Sequence, residues 1–158
     1  MIHYTGDVHQ PLHSETLVNA TYPKGDAGGN YEHVPSQSGV SNLHAIWDSV
    51  IYEYPGYPAM PLSDSDWEWY TQTAAEMALQ FPVTGDINSM DVQAWAEQSY
   101  NLALQYSYPG FVTGQIPSAE YQATALPIVK QNMMLGAVRL ANLIENIYGK
   151  YGLELFLN

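Results

Sequence analysis

Residues 118–149 read SAEYQATALPIVKQNMMLGAVRLANLIENIYG, and apolar residues return through this stretch every three or four positions. Ala125, Ile128, Leu135, Leu140, Leu143 and Ile147 would line one inward face of a long helix from about Ser118 to Tyr148. Gly149 follows, a residue suited to leaving the helical conformation and closing the element. Pro127 lacks a backbone N–H, which predicts a kink or a late helix start there. Gly136 lies in the interior, where a missing side chain predicts a close helix–helix approach.

The same period recurs upstream. Trp67, Tyr70, Ala74, Met77 and Phe81 repeat at steps of three and four, after a Ser63/Asp64 cap signal and before Pro82. Val92, Trp95, Ser99, Leu102 and Tyr106 do so after Asn88/Ser89 and before Pro109-Gly110. A helix is expected from Asn42 to about Tyr54, broken by Tyr54-Pro55-Gly56-Tyr57-Pro58, and residues 1–10 read as a helix stopped by Pro11. Residues 14–41 are rich in Gly, Pro, Ser, Asn and Asp and read as a long loop or an extended excursion, with Gly28-Gly29-Asn30 marking a tight backbone feature. No strand alternation and no internal repeat stand out. The expectation is one all-α domain over 1–158: a front segment over 1–54, a helical scaffold over 55–149 and a tail over 150–158.

Composition narrows the function. Sixteen acidic residues face only Lys24, Lys130, Arg139 and Lys150, for a net charge of −12. Affinity for a polyanion normally comes from Lys and Arg displacing counterions, so a duplex-reading DNA binder is excluded. Bound divalent cations can still attract one or two phosphates against that global sign. The chain has no cysteine, so any metal must be held by His and carboxylates. Neither a signal peptide nor a membrane span is read from the sequence. Thirteen tyrosines and four tryptophans, at helical spacing, are read as core and helix-interface residues rather than stacking platforms. Asn19-Ala20-Thr21 forms a lone glycosylation sequon.

All five histidines (His3, His9, His13, His33 and His44) lie before residue 45. His3-x-x-x-Asp7 and His44-x-x-x-Asp48 share a spacing of about one helical turn, which puts each imidazole and carboxylate on the same helix face. With His13 between them, the front segment offers the nitrogen and carboxylate donors that zinc prefers. His9 is two residues from Asp7, points away from the His3/Asp7 face and is expected to make a supporting or core hydrogen bond.

His3-Tyr4-Thr5-Gly6-Asp7-Val8-His9-Gln10-Pro11-Leu12-His13, then Gly28-Gly29-Asn30, then Asn42-Leu43-His44-Ala45-Ile46-Trp47-Asp48 resembles the zinc-dependent single-strand-specific nucleases. These class I enzymes (S-one/P-one type) belong to the phospholipase C/nuclease superfamily. The likeness extends through Trp95–Tyr100, Tyr108-Pro109-Gly110, Pro127-Ile128-Val129 and Gly136–Ala141, nearly the whole chain. It implies the helical fold of that superfamily. It also implies a secreted enzyme that cleaves single-stranded RNA and DNA to 5′-mononucleotides and removes 3′-phosphates from nucleotides. By this resemblance His13, His44 and Asp48 are the protein ligands of one zinc. His3 and Asp7 belong to a paired-zinc cluster, with Asp7, the candidate catalytic residue, bridging both ions. An intact family member holds three zinc ions.

The family's pattern includes a segment before this one that supplies further zinc ligands and much of the base pocket, and Met1 falls inside the family's motif helix. The expectation is therefore a chain with its N-terminal part missing, able to complete one zinc site and weak in hydrolysis. A zinc phospholipase C is the nearest alternative, although those enzymes place Glu where Asp48 stands. An inactive fragment with one structural zinc is the other.

Overall fold

The computed structural model describes residues 1–56 and 58–151, the side chains of Lys150 and Tyr151 excepted. The expected tail over 150–158 thus falls almost entirely outside the described residues. The chain is mostly helical: α1 (Ile2–Val8), a 3-10 turn (Pro11–His13), α2 (Leu43–Asp48), α3 (Asp64–Gln80), α4 (Val92–Leu102) and α5 (Ala119–Tyr151). No described helix is long and apolar enough to cross a membrane.

Helix α5 is the spine. Ser118 starts it, its hydroxyl accepting from the Tyr121 N–H at 3.1 Å. It runs unbroken through Pro127, and continues past Gly149 rather than stopping there. Its buried face is Tyr121, Ala125, Val129, Asn132, Leu135 and Arg139. The expected stripe shares only Ala125 and Leu135 with this fully buried set, while Ile128, Leu140, Leu143 and Ile147 are half-buried. The difference has a polar cause: Asn132 and Arg139 point inward because they hold other helices. The Asn132 amide donates to the His9 carbonyl and contacts Ser99 Oγ at 3.4 Å. Ser99 in turn donates to the Val8 carbonyl at 2.6 Å.

Gly136 is where α1 meets α5. A Cβ there would sit 2.9 Å from His9 Cγ, so the imidazole lies directly on the helix backbone. His9 is buried, its Nδ1 on the Thr5 carbonyl at 2.8 Å and its Nε2 on Arg139 at 2.9 Å. The guanidinium can only donate, so Nε2 accepts and Nδ1 carries the proton. Burial, opposed by the Thr5 hydrogen bond and assisted by the Arg139 charge, holds the His9 pKa below its ordinary value. Arg139 also stacks over Trp95 of α4, 5.3 Å from its ring.

The core gathers Leu43, Ile46 and Trp47 of α2, Leu12, Val34 and Val40, against Ala103, Tyr121, Ala125 and Val129. Trp47 Nε1 donates to Tyr121 Oη at 2.8 Å, and that hydroxyl donates to the Ser107 carbonyl at 2.7 Å. This satisfies the polar ends of two large buried rings.

Three other expectations need correction. The long loop contains a small antiparallel ribbon, β1 (His33–Gln37) and β2 (Val40–Asn42), which the sequence reading left out. Its Ser38-Gly39 turn has φ of 52° and 84°, the mirror-image geometry that two-residue hairpins favour. Helix α2 ends at Asp48, six residues short of Tyr54, because Val50, Ile51 and Tyr52 take left-handed φ of 52°, 53° and 68°. Helix α3 forms behind a Ser63/Asp66 capping box, but of its expected stripe only Met77 is buried and Trp67 is 60% exposed. Its N-terminal apolar positions follow the helical period without meeting a core, and only the end near Met77 packs inward.

Candidate metal centre

Three short elements carry the five candidate ligands. His3 and Asp7 sit one turn apart on α1, and His13 ends the 3-10 turn that Pro11 begins. His44 and Asp48 sit one turn apart on α2, whose start is capped by Asn42 Oδ1 accepting from the Ala45 N–H at 2.8 Å. Trp47, between them, is pinned in the core, while Asp48 meets Gln10 and His13 at the 3-10 turn.

The fold brings His13, His44 and Asp48 together, with one donor atom from each lying within 4.8 Å of the others. His13 Nε2 is 3.4 Å from Asp48 Oδ1, and His44 Nε2 is 3.4 Å from Asp48 Oδ2. The two imidazole rings lie 4.8 Å apart. A tetrahedral zinc with bonds of about 2.0–2.2 Å separates its ligand atoms by about 3.3–3.6 Å. The two 3.4 Å contacts match that spacing through different oxygens of Asp48, while the three-donor set spreads to 4.8 Å, so a small side-chain adjustment would gather all three on one ion. His3 and Asp7 form a second pair, 3.2 Å apart, joined to the first group by His13 Nδ1 at 3.9 Å from Asp7 Oδ1. That pair has two donors of its own, and His3 is largely exposed. His33 lies on β1 away from the cluster, and His9 faces the core.

Two supporting residues were not legible in the sequence. Gln10 donates from Nε2 to Asp48 Oδ1 at 2.7 Å while its Oε1 accepts from the Leu12 N–H, so one amide sets both the 3-10 turn and the carboxylate. The Gly28 carbonyl, 2.8 Å from His44 Nδ1, accepts that nitrogen's proton and leaves Nε2 free to face Asp48. The Gly28-Gly29-Asn30 sequence signals tight backbone, but nothing in it announces a histidine sixteen residues on.

An apolar cleft of about 550 Å³ opens beside the cluster between α1 and α5. Met133, Ala137 and Leu140 line one side and His3, Asp7 and His13 the other.

The ion pairs set a pH dependence for the zinc-free protein. The Asp48 hydrogen bond raises the His13 pKa above 6.5 against partial burial, helped by the Asp48 and Asp7 charges. Burial pushes Asp48 upward, but hydrogen bonds from His13 and Gln10 and the neighbouring imidazoles outweigh it and hold it below 3.8. The raised His13 contributes stability in full below 6.5 and loses it as pH climbs through its folded value. The lowered Asp48 contributes above 3.8 and loses it as pH falls through its folded value. The Tm gap between zinc-free wild type and Asp48→Asn should therefore be widest between these limits and shrink toward pH 9. A gap that grows with alkalinity in scanning calorimetry would contradict this assignment.

Two imidazoles and a carboxylate at coordination spacing, presented by short helices on a helical frame, define a candidate His/Asp metal protein. A family model described as S1/P1 nuclease matches residues 1–149, and the chain belongs to that family. It is 32% identical to Endonuclease 5 of Arabidopsis thaliana over 162 residues, covering 92% of this chain and 49% of that protein. Endonuclease 4 of the same plant is likewise 32% identical, over 92% of this chain and 48% of its own length. Nuclease S1 of Aspergillus oryzae is 43% identical over 53 residues, 34% of this chain and 16% of that protein. The chain spans about half the length of the Arabidopsis relatives it matches.

Proposed function

We propose that this chain carries a zinc site of a hydrolase that cleaves phosphoester bonds in single-stranded RNA or DNA and removes 3′-phosphates from nucleotides. The observation that carries the reading is the convergence of His13, His44 and Asp48 within 4.8 Å. Membership of the S1/P1 nuclease family supports the substrate class. The net charge of −12 favours short or single-stranded phosphates over a duplex lying along the surface. The family resemblance also favours a secreted protein.

In this reading His13, His44 and Asp48 hold one zinc, and His3 and Asp7 supply part of a second centre. Zinc held there would supply Lewis acidity, making a water easier to ionise and offsetting charge on phosphoryl oxygens. The residues' own work is orientation. The Gly28 carbonyl fixes the His44 tautomer, and Gln10 fixes Asp48. Asp7, one-third exposed and between His3 and His13, would help hold metal beside the reacting phosphate. A zinc site normally takes about three protein ligands, so among the described residues His3 and Asp7 make up only part of a second centre.

The test pairs zinc content after dialysis with three assays, on a single-stranded oligonucleotide, on 3′-AMP and on a lecithin emulsion. About one zinc per chain is expected, with weak, chelator-sensitive release of nucleotides and phosphate and no lecithin hydrolysis. A chain that retains no zinc would end the proposal, and lecithin turnover would move it to the phospholipases.

A further inference from the structure

Asp26 has no exposed surface, and no described Lys, Arg or His forms an ion pair with it. A buried carboxylate without a cation is costly unless its oxygens are fully hydrogen-bonded. Here they are. Oδ1 accepts from the Leu17 N–H at 2.8 Å and from Thr16 Oγ1 at 3.1 Å. Oδ2 accepts from the Gly29 N–H at 2.9 Å, and Tyr108 Oη lies 3.0 and 3.2 Å from the two oxygens. Burial and the Asp26 charge drive the Tyr108 pKa far upward, so its hydroxyl remains a donor.

The Gly29 N–H is half of a peptide group whose other half is the Gly28 carbonyl. That same carbonyl accepts the proton on His44 Nδ1 at 2.8 Å. Asp26, one peptide unit and His44 therefore form a single line of hydrogen bonds, which ends at Nε2 facing Asp48 3.4 Å away. Residues 27–29 all hold left-handed φ (57°, 61° and 82°), the turn that aims the N–H inward at the carboxylate and the C=O outward at the imidazole.

We propose that Asp26 is a positioning residue that acts on His44 through the Gly28–Gly29 peptide. Its negative charge polarises that peptide and strengthens the carbonyl as an acceptor. The Nδ1 proton is held more firmly and Nε2 becomes a better electron-pair donor. In many metal sites a carboxylate touches the ligating imidazole directly. Here a peptide bond is interposed, and hydrogen bonds in series reinforce one another at low dielectric. The inference rests on His44 being a zinc ligand, as proposed above, but its effect on the imidazole exists without metal.

The test compares wild type, Asp26→Asn and Tyr108→Phe in two measurements. The first is zinc affinity, by competition with a chromophoric chelator. The second is the His44 tautomer in the zinc-free protein at pH 8, read from imidazole 15N shifts. Wild type is expected to show Nδ1–H, with that proton and the Gly29 amide proton both shifted downfield. Both variants lose a hydrogen bond at the carboxylate and should melt earlier. Only Asp26→Asn removes the charge, so it alone should lose about 10- to 100-fold in zinc affinity and move the His44 shifts. Tyr108→Phe should keep affinity within about 3-fold, because the Asp26–Gly29 contact survives.

Equal affinity losses in both variants, tracking their melting temperatures, would reduce Asp26 to a structural residue and overturn the proposal. An Nε2–H tautomer in wild type would overturn it even if Asp26→Asn failed to fold. A wild type that binds no zinc yet shows the Nδ1–H tautomer and its shift in Asp26→Asn would sink the zinc reading and leave the relay standing.

Discussion

Asp48→Ala will lose stoichiometric zinc, with affinity falling by more than the roughly 100-fold that loss of a supporting partner costs. Asp48 is the group both histidines share, at 3.4 Å from His13 Nε2 and 3.4 Å from His44 Nε2. Without it two neutral imidazoles remain, fewer than the three protein ligands zinc usually takes. The carboxylate is 43% exposed, so its removal should leave the helical circular dichroism intact. Asp48→Glu keeps the charge on a longer arm and should retain part of the affinity. Chelator competition with parallel dichroism separates the outcomes. Zinc retained by Asp48→Ala at wild-type affinity would place the ion elsewhere.

Gly28→Ala carries the largest expected stability loss. A Cβ at that position would sit 2.4 Å from the Leu12 carbonyl oxygen and 3.1 Å from that of Glu15. Both obstacles are backbone, so no rotamer change relieves them. The φ of 61° adds the left-handed penalty that glycine escapes. The loop must shift, and with it go the Gly29 N–H to Asp26 and the Gly28 carbonyl to His44. A cost on the order of 3 kcal/mol or more is expected in urea denaturation. The neighbourhood of Gly136 offers a comparison. There a Cβ meets the His9 ring rather than backbone, so Gly136→Ala should be milder. Similar midpoints for wild type and Gly28→Ala would mean the loop is not held as described.

Much of this was legible because the signals are local. The i, i+4 histidine–aspartate pairs need only one helical turn to align, and the Ser63 cap acts within three residues. The family motif carried the candidate ligand set, of which the fold brings His13, His44 and Asp48 together. What sequence hides is long-range. Asn132 and Arg139 look like surface residues of α5, yet they are buried because α1 and α4 bring carbonyls, an imidazole and an indole to meet them. Trp67 and Tyr70 fit an inward stripe, yet stand exposed, because period alone does not say whether a second surface is present. Asp26 was invisible as a functional candidate because its effect passes through a peptide bond.

The left-handed run at Val50, Ile51 and Tyr52 bears on how the chain acquires its site. Such a turn is uphill for branched L-residues. Val50 and Ile51 adopt it buried in the core that Tyr121, Ala125 and Val129 complete from far along the chain. Every candidate ligand lies in the first 48 residues, but the left-handed turn that follows them is buried in a core completed by Ala103 and by residues of α5. An excised peptide holding all five donors should therefore stay unstructured in zinc solution. The candidate centre is expected to depend on packing by the rest of the molecule rather than to form in the front segment alone.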